Sequence, residues 1–257
     1  TVLFHSTIFG PIHSRRLGVS LGVNLMPNDG KICSFDCLYC EAGYNAQGAG
    51  TTGIPSRDTV KRQLRDKLKQ MQANGDSLDV ITFSGNGEPT LHPSFKDIVH
   101  DVTVLRDRYY PQAKVSVLSN ATMAANPRVK QALLAVDNNI LKLDSAVART
   151  MRLINRPASA NVLPAGIIED LAEYGGKCIV QTMILRGEHN GERIDNTTTA
   201  EIDALIDAYK RIRPQEVMIY SIDRKTPEEH FEKVPREELE DIGRRIEEAG
   251  IKVQVNA

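Results

Sequence analysis

Short apolar runs alternate with amphipathic stretches of helical length almost from one end of this chain to the other, the pattern of βα units around a parallel sheet. Seven runs read as strands: GVSLGVNLM (18–26), DVITFSG (79–85), KVSVLSN (114–120), NILKLD (139–144), KCIVQTMIL (177–185), EVMIYSID (216–223) and IKVQVNA (251–257). Helical stretches run from Ser56 to Ala73, Pro93 to Tyr109, Pro127 to Val136, Asn161 to Tyr174, Thr199 to Ile212 and Arg236 to Ala249. Ser56, and Asn126 before Pro127, are cap signals, and the turns YGGK and EAGI close two helices. No composition break marks a linker, so residues 1–257 read as one domain, with residues 1–17 an arm before the first strand. Such an array forms a full or partial barrel or an open doubly wound sheet. In each, ligands bind where the strands end.

Thirty-two basic residues against 33 acidic ones leave a net charge of −1, so nothing global demands nucleic acid or an anionic membrane as partner. No run of about 18 apolar residues could span a bilayer. The opening TVLFHSTIFGPIHSRRLG lacks the layout of a secretion signal, and the expectation is a cytoplasmic protein. Four cysteines are too few for a disulfide scaffold, and three of them cluster, which in a reducing compartment reads as a metal or iron–sulfur site. Asn196-Thr197-Thr198 matches the glycosylation acceptor pattern and is read as chance.

The cluster is the segment KICSFDCLYCEAGYN, with Cys33, Cys37 and Cys40 at C-x3-C-x2-C spacing in the loop after the first strand. A structural zinc site needs a fourth ligand, such as His5, His13 or Cys178. In a [4Fe–4S] cluster three thiolates leave one iron open to a small molecule. Spacing alone leaves both readings standing.

An aromatic, Tyr39, precedes the last cysteine, and the second strand ends in SGNGEPT. Together these resemble the cysteine signature and the Gly-Gly-Glu motif of the radical S-adenosylmethionine (radical SAM) superfamily. GPIHSRRLGVSLGVNL, LSNAT, LKLD, INRP and YSIDRKTPEE extend the likeness over nearly the whole chain, toward a branch of small radical enzymes related to the wyosine-forming tRNA enzymes. The resemblance implies a partial, open (β/α)6-type TIM barrel, the radical SAM core. It implies that Cys33, Cys37 and Cys40 (loop 33–40) hold a [4Fe–4S] cluster whose fourth iron takes the amino and carboxylate groups of S-adenosylmethionine. It also implies an electron donor such as flavodoxin or ferredoxin. One electron would cleave the sulfonium to methionine and a 5′-deoxyadenosyl radical that abstracts hydrogen from a substrate. The substrate stays open among a small molecule, a peptide or protein, and tRNA. The rival of another class is a non-catalytic zinc or electron-transfer module.

By the same resemblance Gly85, Asn86, Gly87 and Glu88 receive the methionine amino group, although Asn86 stands where the family has its second glycine. Ser119 and Asn120 end the third strand, facing the cofactor's ribose or carboxylate, and Tyr39 joins the cofactor set. Lys142 and Asp144 alternate with Leu141 and Leu143, so the two polar side chains share a face; if the leucines pack under helices, the pair points into the barrel, near cofactor or substrate. Gln181 with Met183, and Tyr220 with Ile222, share faces in the same way, as core or substrate contacts. Asp223 and Arg224, in the loop that follows, read equally as a local ion pair or as substrate contacts. Arg15 and Arg16, beside His13 and Ser14, would bind the cofactor carboxylate, close the barrel mouth or hold an anionic substrate. Cys178, among apolar strand residues, reads as a buried thiol.

Overall fold

The computed structural model describes residues 2–14, 18–224, 226–228 and 230–256. Its parallel strands are β2 (Gly18–Val23), β3 (Val80–Phe83), β4 (Lys114–Ser119), β5 (Asn138–Lys142), β6 (Ile179–His189), β8 (Glu216–Ser221) and β10 (Val253–Asn256), hydrogen-bonded in that order. The helices α1 (Arg57–Asn74), α2 (Phe95–Tyr109), α3 (Pro127–Ala135), α4 (Ala148–Asn155), α5 (Pro164–Ala172), α6 (Thr199–Ile212) and α7 (Arg236–Glu248) fill the crossovers. Six strand–helix units followed by β10 make the expected (β/α)6 array, and it does not close: β10 pairs with β8 alone, and β2 is flanked by β1 (Ile8–Ser14).

Local chemistry sets the helix ends. The Ser56 side chain accepts from Thr59 N–H, Asn126 accepts from Arg128 and Val129 N–H ahead of Pro127, and Thr198 accepts from Glu201 N–H. The outward face of the sheet, including Leu21, Phe83, Val117, Leu141, Leu143, Val180 and Ile219, merges with the helices into the main core. A fully buried aliphatic of this kind contributes about 1.5–3 kcal/mol. Leu118, Ile140, Ile179 and Met218 form a separate apolar layer on the other face, inside the barrel. Leu141 and Leu143 therefore pack under the helices as expected, and Lys142 projects inward.

Four elements were not expected. Strand β1 carries Gly10 and Pro11, which argue against a strand, but it pairs antiparallel to β2 at the sheet edge with a register irregularity, where proline is tolerated. It turns part of the 1–17 arm into sheet. Strand β6 runs past its predicted end at 185 and forms a second antiparallel patch with β7 (Glu192–Asp195) and β9 (Phe231–Lys233). Helix α4 has no side-chain cap and only eight residues, so little in the local sequence announces it. No helix among the described residues is long and apolar enough to cross a membrane. Asn196 of the acceptor pattern is fully buried, which excludes it as a glycosylation site in the folded chain.

Candidate functional site

The site assembles from the loops at the C-terminal ends of β2, β3, β4 and β5. At the end of β2, Asn24 Oδ1 accepts from Met26 N–H (3.2 Å) and from Asn86 N–H (3.1 Å), tying the cysteine loop to the loop after β3. Ile32 then bridges Gly87 in parallel: Ile32 N–H donates to Asn86 O (3.2 Å) and Glu88 N–H to Ile32 O (3.0 Å). Gly87 has φ +144° and a Cβ there would lie 1.8 Å from Ile32 O; Gly85, at φ +138°, would collide with Asn24 Oδ1. Only glycine lets the two loops approach this closely.

Cys33, Cys37 and Cys40 are free thiols in the loop so anchored. The end of α4 and the segment after it brace it: Asp36 N–H donates to Asn155 O, Leu38 N–H to Ile154 O and Ala158 N–H to Ser34 O, each at 2.9 Å. Asn45 Nδ2 donates to Cys33 O and Phe35 O at 3.1 Å each. Two carboxamides point at sulfur, Asn120 Nδ2 at Cys33 Sγ (3.5 Å) and Asn155 Nδ2 at Cys37 Sγ (3.4 Å). Burial pushes the Cys33 and Cys37 thiols up to about 12, with the carboxylates of Glu88 and Asp144 adding to it. A bound cation is what makes such thiols into thiolates.

The donor set fits an iron–sulfur cube better than a single ion. A closed zinc site needs four ligands on one centre, and among the described residues no three His, Cys, Asp or Glu side chains converge in that way. In a four-iron cube each thiolate holds a different iron. Of the fourth ligands considered for zinc, Cys178 is fully buried in the core, His13 stands on β1 opposite Val19, at the far end of β2 from the cysteine loop, and His5 Nδ1 lies 3.1 Å from Asn28 O.

Glu88 is 2% exposed, and its carboxylate accepts from Thr90 N–H (3.1 Å), Thr90 Oγ1 (2.5 Å), Ser119 Oγ (2.8 Å) and Asn120 N–H (2.7 Å). Burial raises its pKa against those four donors. Two of these bonds, from Ser119 Oγ and Asn120 N–H, tie the carboxylate to the end of β4, so Glu88 positions Asn120. Asn120 in turn reaches Ser34 Oγ (2.9 Å) and accepts from Thr122 Oγ1 (2.8 Å).

Asn86 has its polar groups spent too. Its side chain pairs with the Phe4 main chain (Phe4 N–H to Oδ1 2.8 Å, Nδ2 to Phe4 O 2.9 Å) and donates to Pro27 O (2.8 Å). The carboxamide that replaces the family's glycine thus faces the arm, and the loop keeps its shape. Gly87's own N–H and C=O point away from Ile32, as a parallel bridge requires.

Lys142, Asp144 and Tyr39 meet as one group. Asp144, 1% exposed, accepts from the Tyr39 hydroxyl, from Asn155 Nδ2 (2.6 Å) and from Met183 N–H (2.9 Å). Lys142 Nζ lies 3.6 Å from Asp144 Oδ1, donates to Tyr220 Oη (2.7 Å) and sits over the rings of Tyr39 and Tyr220. Burial opposes its charge, but Asp144 and Tyr220 outweigh that and hold the ammonium protonated. Tyr39 is held neutral, first by burial and then by Asp144, and its hydroxyl is spent on that carboxylate. Asn196 Nδ2 donates to Asp144 O (2.8 Å) and Met183 O (2.7 Å), stapling β5 to β6.

The structure therefore gathers Cys33, Cys37, Cys40, Tyr39, residues 85–88, Ser119, Asn120, Lys142 and Asp144 at one end of the sheet. Asp223 and Arg224 lie outside the group, in exposed ion pairs with Lys233 and Glu41. Arg16, with Arg15, lies outside the described residues. Sequence reasoning missed Asn24, Asn155 and Asn196. Asn155, as part of INRP, and Asn24, near the end of GPIHSRRLGVSLGVNL, carried a signal; Asn196 did not.

A sequence profile described as "Radical SAM superfamily" matches residues 28–200. A protein of Brachyspira hyodysenteriae named GTPase Obg is 28% identical over 236 residues, 91% of this chain and 32% of that protein. A UPF0026 protein of Methanocaldococcus jannaschii is 33% identical over 181 residues, covering 69% of this chain and 53% of the relative. The chain thus spans a third to about half the length of these relatives. Among solved structures, a radical SAM methyltransferase from Sphaerobacter thermophilus superposes with a TM-score of 0.66 at 15% identity, over 92% of this chain and 65% of that one. TYW1 with a lysine–pyruvate adduct bound gives 0.60 at 13%, over 89% and 73%. At these identities the structural likeness speaks for the fold.

Proposed function

The chain belongs to the radical S-adenosylmethionine superfamily, and from that premise we propose how its own residues divide the work. It is an enzyme with a [4Fe–4S] cluster and S-adenosylmethionine as cofactors. When bound, that pair supplies one-electron cleavage of a sulfonium and a carbon radical able to abstract hydrogen. Cys33, Cys37 and Cys40 hold the cluster, and the Asn120 and Asn155 amides donate to two of the sulfurs. The free main-chain groups of Gly87 orient the methionine end, with Gly85 giving room. Glu88 and Asn86 act behind them, one fixing β4 and the other the arm. Lys142, kept charged, and Asp144, saturated with donors, set the electrostatics of the barrel wall. A low-potential carrier of the flavodoxin or ferredoxin kind delivers the electron. Arg16 remains a proposed contact to an anionic group on cofactor or substrate.

The observation that carries this reading is the paired loops: three thiols in a segment bridged to a glycine pair whose geometry excludes any side chain. Anaerobically reconstituted protein should contain about four irons and four sulfides per chain and, with dithionite, convert S-adenosylmethionine to 5′-deoxyadenosine and methionine. Cys33→Ala, Cys37→Ala and Cys40→Ala should lose cluster and product, while Cys178→Ala keeps both. Product formation by Cys37→Ala, or iron loss in Cys178→Ala, would sink the assignment.

A further inference from the structure

Inside the barrel, one polar layer has groups that no other group among the described residues satisfies. The layer rests on the apolar floor of Leu118, Ile140, Ile179 and Met218. Above it, Lys142 on β5 and Gln181 on β6 are register partners, and both lie on the floor's face of the sheet by strand alternation. Thr182, the next residue of β6, points the other way and bonds Tyr209 of α6, which confirms the facing of Gln181.

Gln181 is 6% exposed. Its carboxamide has no hydrogen-bond partner among the described residues, whereas the amide nitrogens of Asn86, Asn155 and Asn196 all donate to partners in the chain. An amide this far inside the sheet with no protein partner is left to water or to a ligand. Lys142 spends one N–H on Tyr220 Oη, and its distance to Asp144 is too long for a hydrogen bond. Its remaining N–H groups are unspent. On the far side of Tyr220, Asn256 is its register partner on β10, and Asn256 Nδ2 is buried without a partner among the described residues. Val255 packs on Gly243 of α7, so Asn256 faces inward with Tyr220.

Asn256 Oδ1 already accepts from Gln254 Nε2 (3.4 Å), so donors dominate the unspent groups: an ammonium and two carboxamide NH2 groups against the amide oxygen of Gln181. Asp144, the nearest carboxylate, already has its donors from Tyr39, Asn155 and Met183. The missing partner is thus rich in acceptors and negatively charged. It is also small, because the apolar floor closes the space below.

We propose that the barrel interior is a substrate subsite in which Lys142, Gln181 and Asn256 bind a carboxylate group of a small substrate. This rests on the reading of the chain as a radical SAM enzyme and assigns Lys142 to the substrate rather than to the cofactor. The carboxylate lies between the ammonium and the two amides, beside the cysteine loop that carries Tyr39, so its neighbouring carbon atoms face the cofactor.

The test uses cluster-loaded protein with S-adenosylmethionine bound, and difluoroacetate as a carboxylate probe followed by fluorine NMR. Wild-type protein should bind the probe saturably, acetate should displace it, and inorganic phosphate should not. Gln181→Glu places a competing carboxylate beside Lys142 and should weaken probe binding at least about tenfold, a loss of about 1.4 kcal/mol, and Lys142→Gln should do the same. Gln181→Glu should retain iron content, S-adenosylmethionine affinity and dithionite-driven 5′-deoxyadenosine formation. No saturable binding to wild type, undiminished binding to Gln181→Glu, or displacement by phosphate in place of acetate would overturn the subsite. Loss of S-adenosylmethionine affinity in Gln181→Glu would overturn it too, by returning Gln181 to the cofactor. Absence of 5′-deoxyadenosine from wild type would instead count against the underlying enzyme reading.

Discussion

Replacing Asn155 by alanine separates two effects that its carboxamide combines. Nδ2 donates to Asp144 Oδ2 at 2.6 Å and to Cys37 Sγ at 3.4 Å, and the residue is 1% exposed. Losing a hydrogen bond to a buried carboxylate costs about 1.5–3 kcal/mol. At about 2–4 °C per kcal/mol for a chain of this size, the melting temperature of the variant should fall by about 3–12 °C. The sulfur contact acts on the cluster. An N–H donor stabilises the reduced, more negative form, so its loss should lower the potential. A contribution of about 0.5–1.5 kcal/mol corresponds to about 20–65 mV for one electron. The assay is an anaerobic redox titration followed by electron paramagnetic resonance, beside a thermal melt of the same preparation. Tyr39→Phe is the control. It removes another donor to Asp144 without touching Cys37 Sγ, and should lower the melting temperature with little change in potential. An unmoved potential in Asn155→Ala, or an equal shift in Tyr39→Phe, would refute the assignment of the Asn155 amide to the sulfur.

Further outcomes follow from the same geometry. Gly87→Ala forces a Cβ into Ile32 O at 1.8 Å and should separate the two loops, so calorimetry should show S-adenosylmethionine binding weakened at least about tenfold; retained affinity would show that the bridge is not part of the cofactor site. Asn86→Gly and deletion of residues 2–6 break the same arm contact, so a double-mutant cycle on melting temperature should be strongly non-additive. Independent, additive losses would separate the arm from Asn86. Because basic and acidic residues balance at a net charge of −1, filter binding at physiological salt should show no submicromolar tRNA complex. A salt-sensitive complex of that affinity, lost on changing Arg15 and Arg16, would move the substrate toward RNA.

What the chain's sequence determined by itself was everything written in local patterns. The alternation of strand and helix periods specified six βα units. The three cysteines and the SGNGEPT turn were legible because their chemistry depends on residues close in sequence, and the alternation of Leu141, Lys142, Leu143 and Asp144 already put the polar pair on one face. Only the tertiary structure decided which distant side chains complete the site. Asn155 reaches Cys37 across 118 positions and Asn86 reaches Phe4 across 82. Nothing local distinguishes these asparagines from turn or cap residues, because their partners are chosen by the register of the parallel strands and the path of the crossovers. The same register sets Lys142 beside Gln181, and Asn256 beside Tyr220. Strand β1 escaped notice for a related reason. Its Gly-Pro step is tolerable only at a sheet edge, and where the edge lies is a property of the assembled sheet.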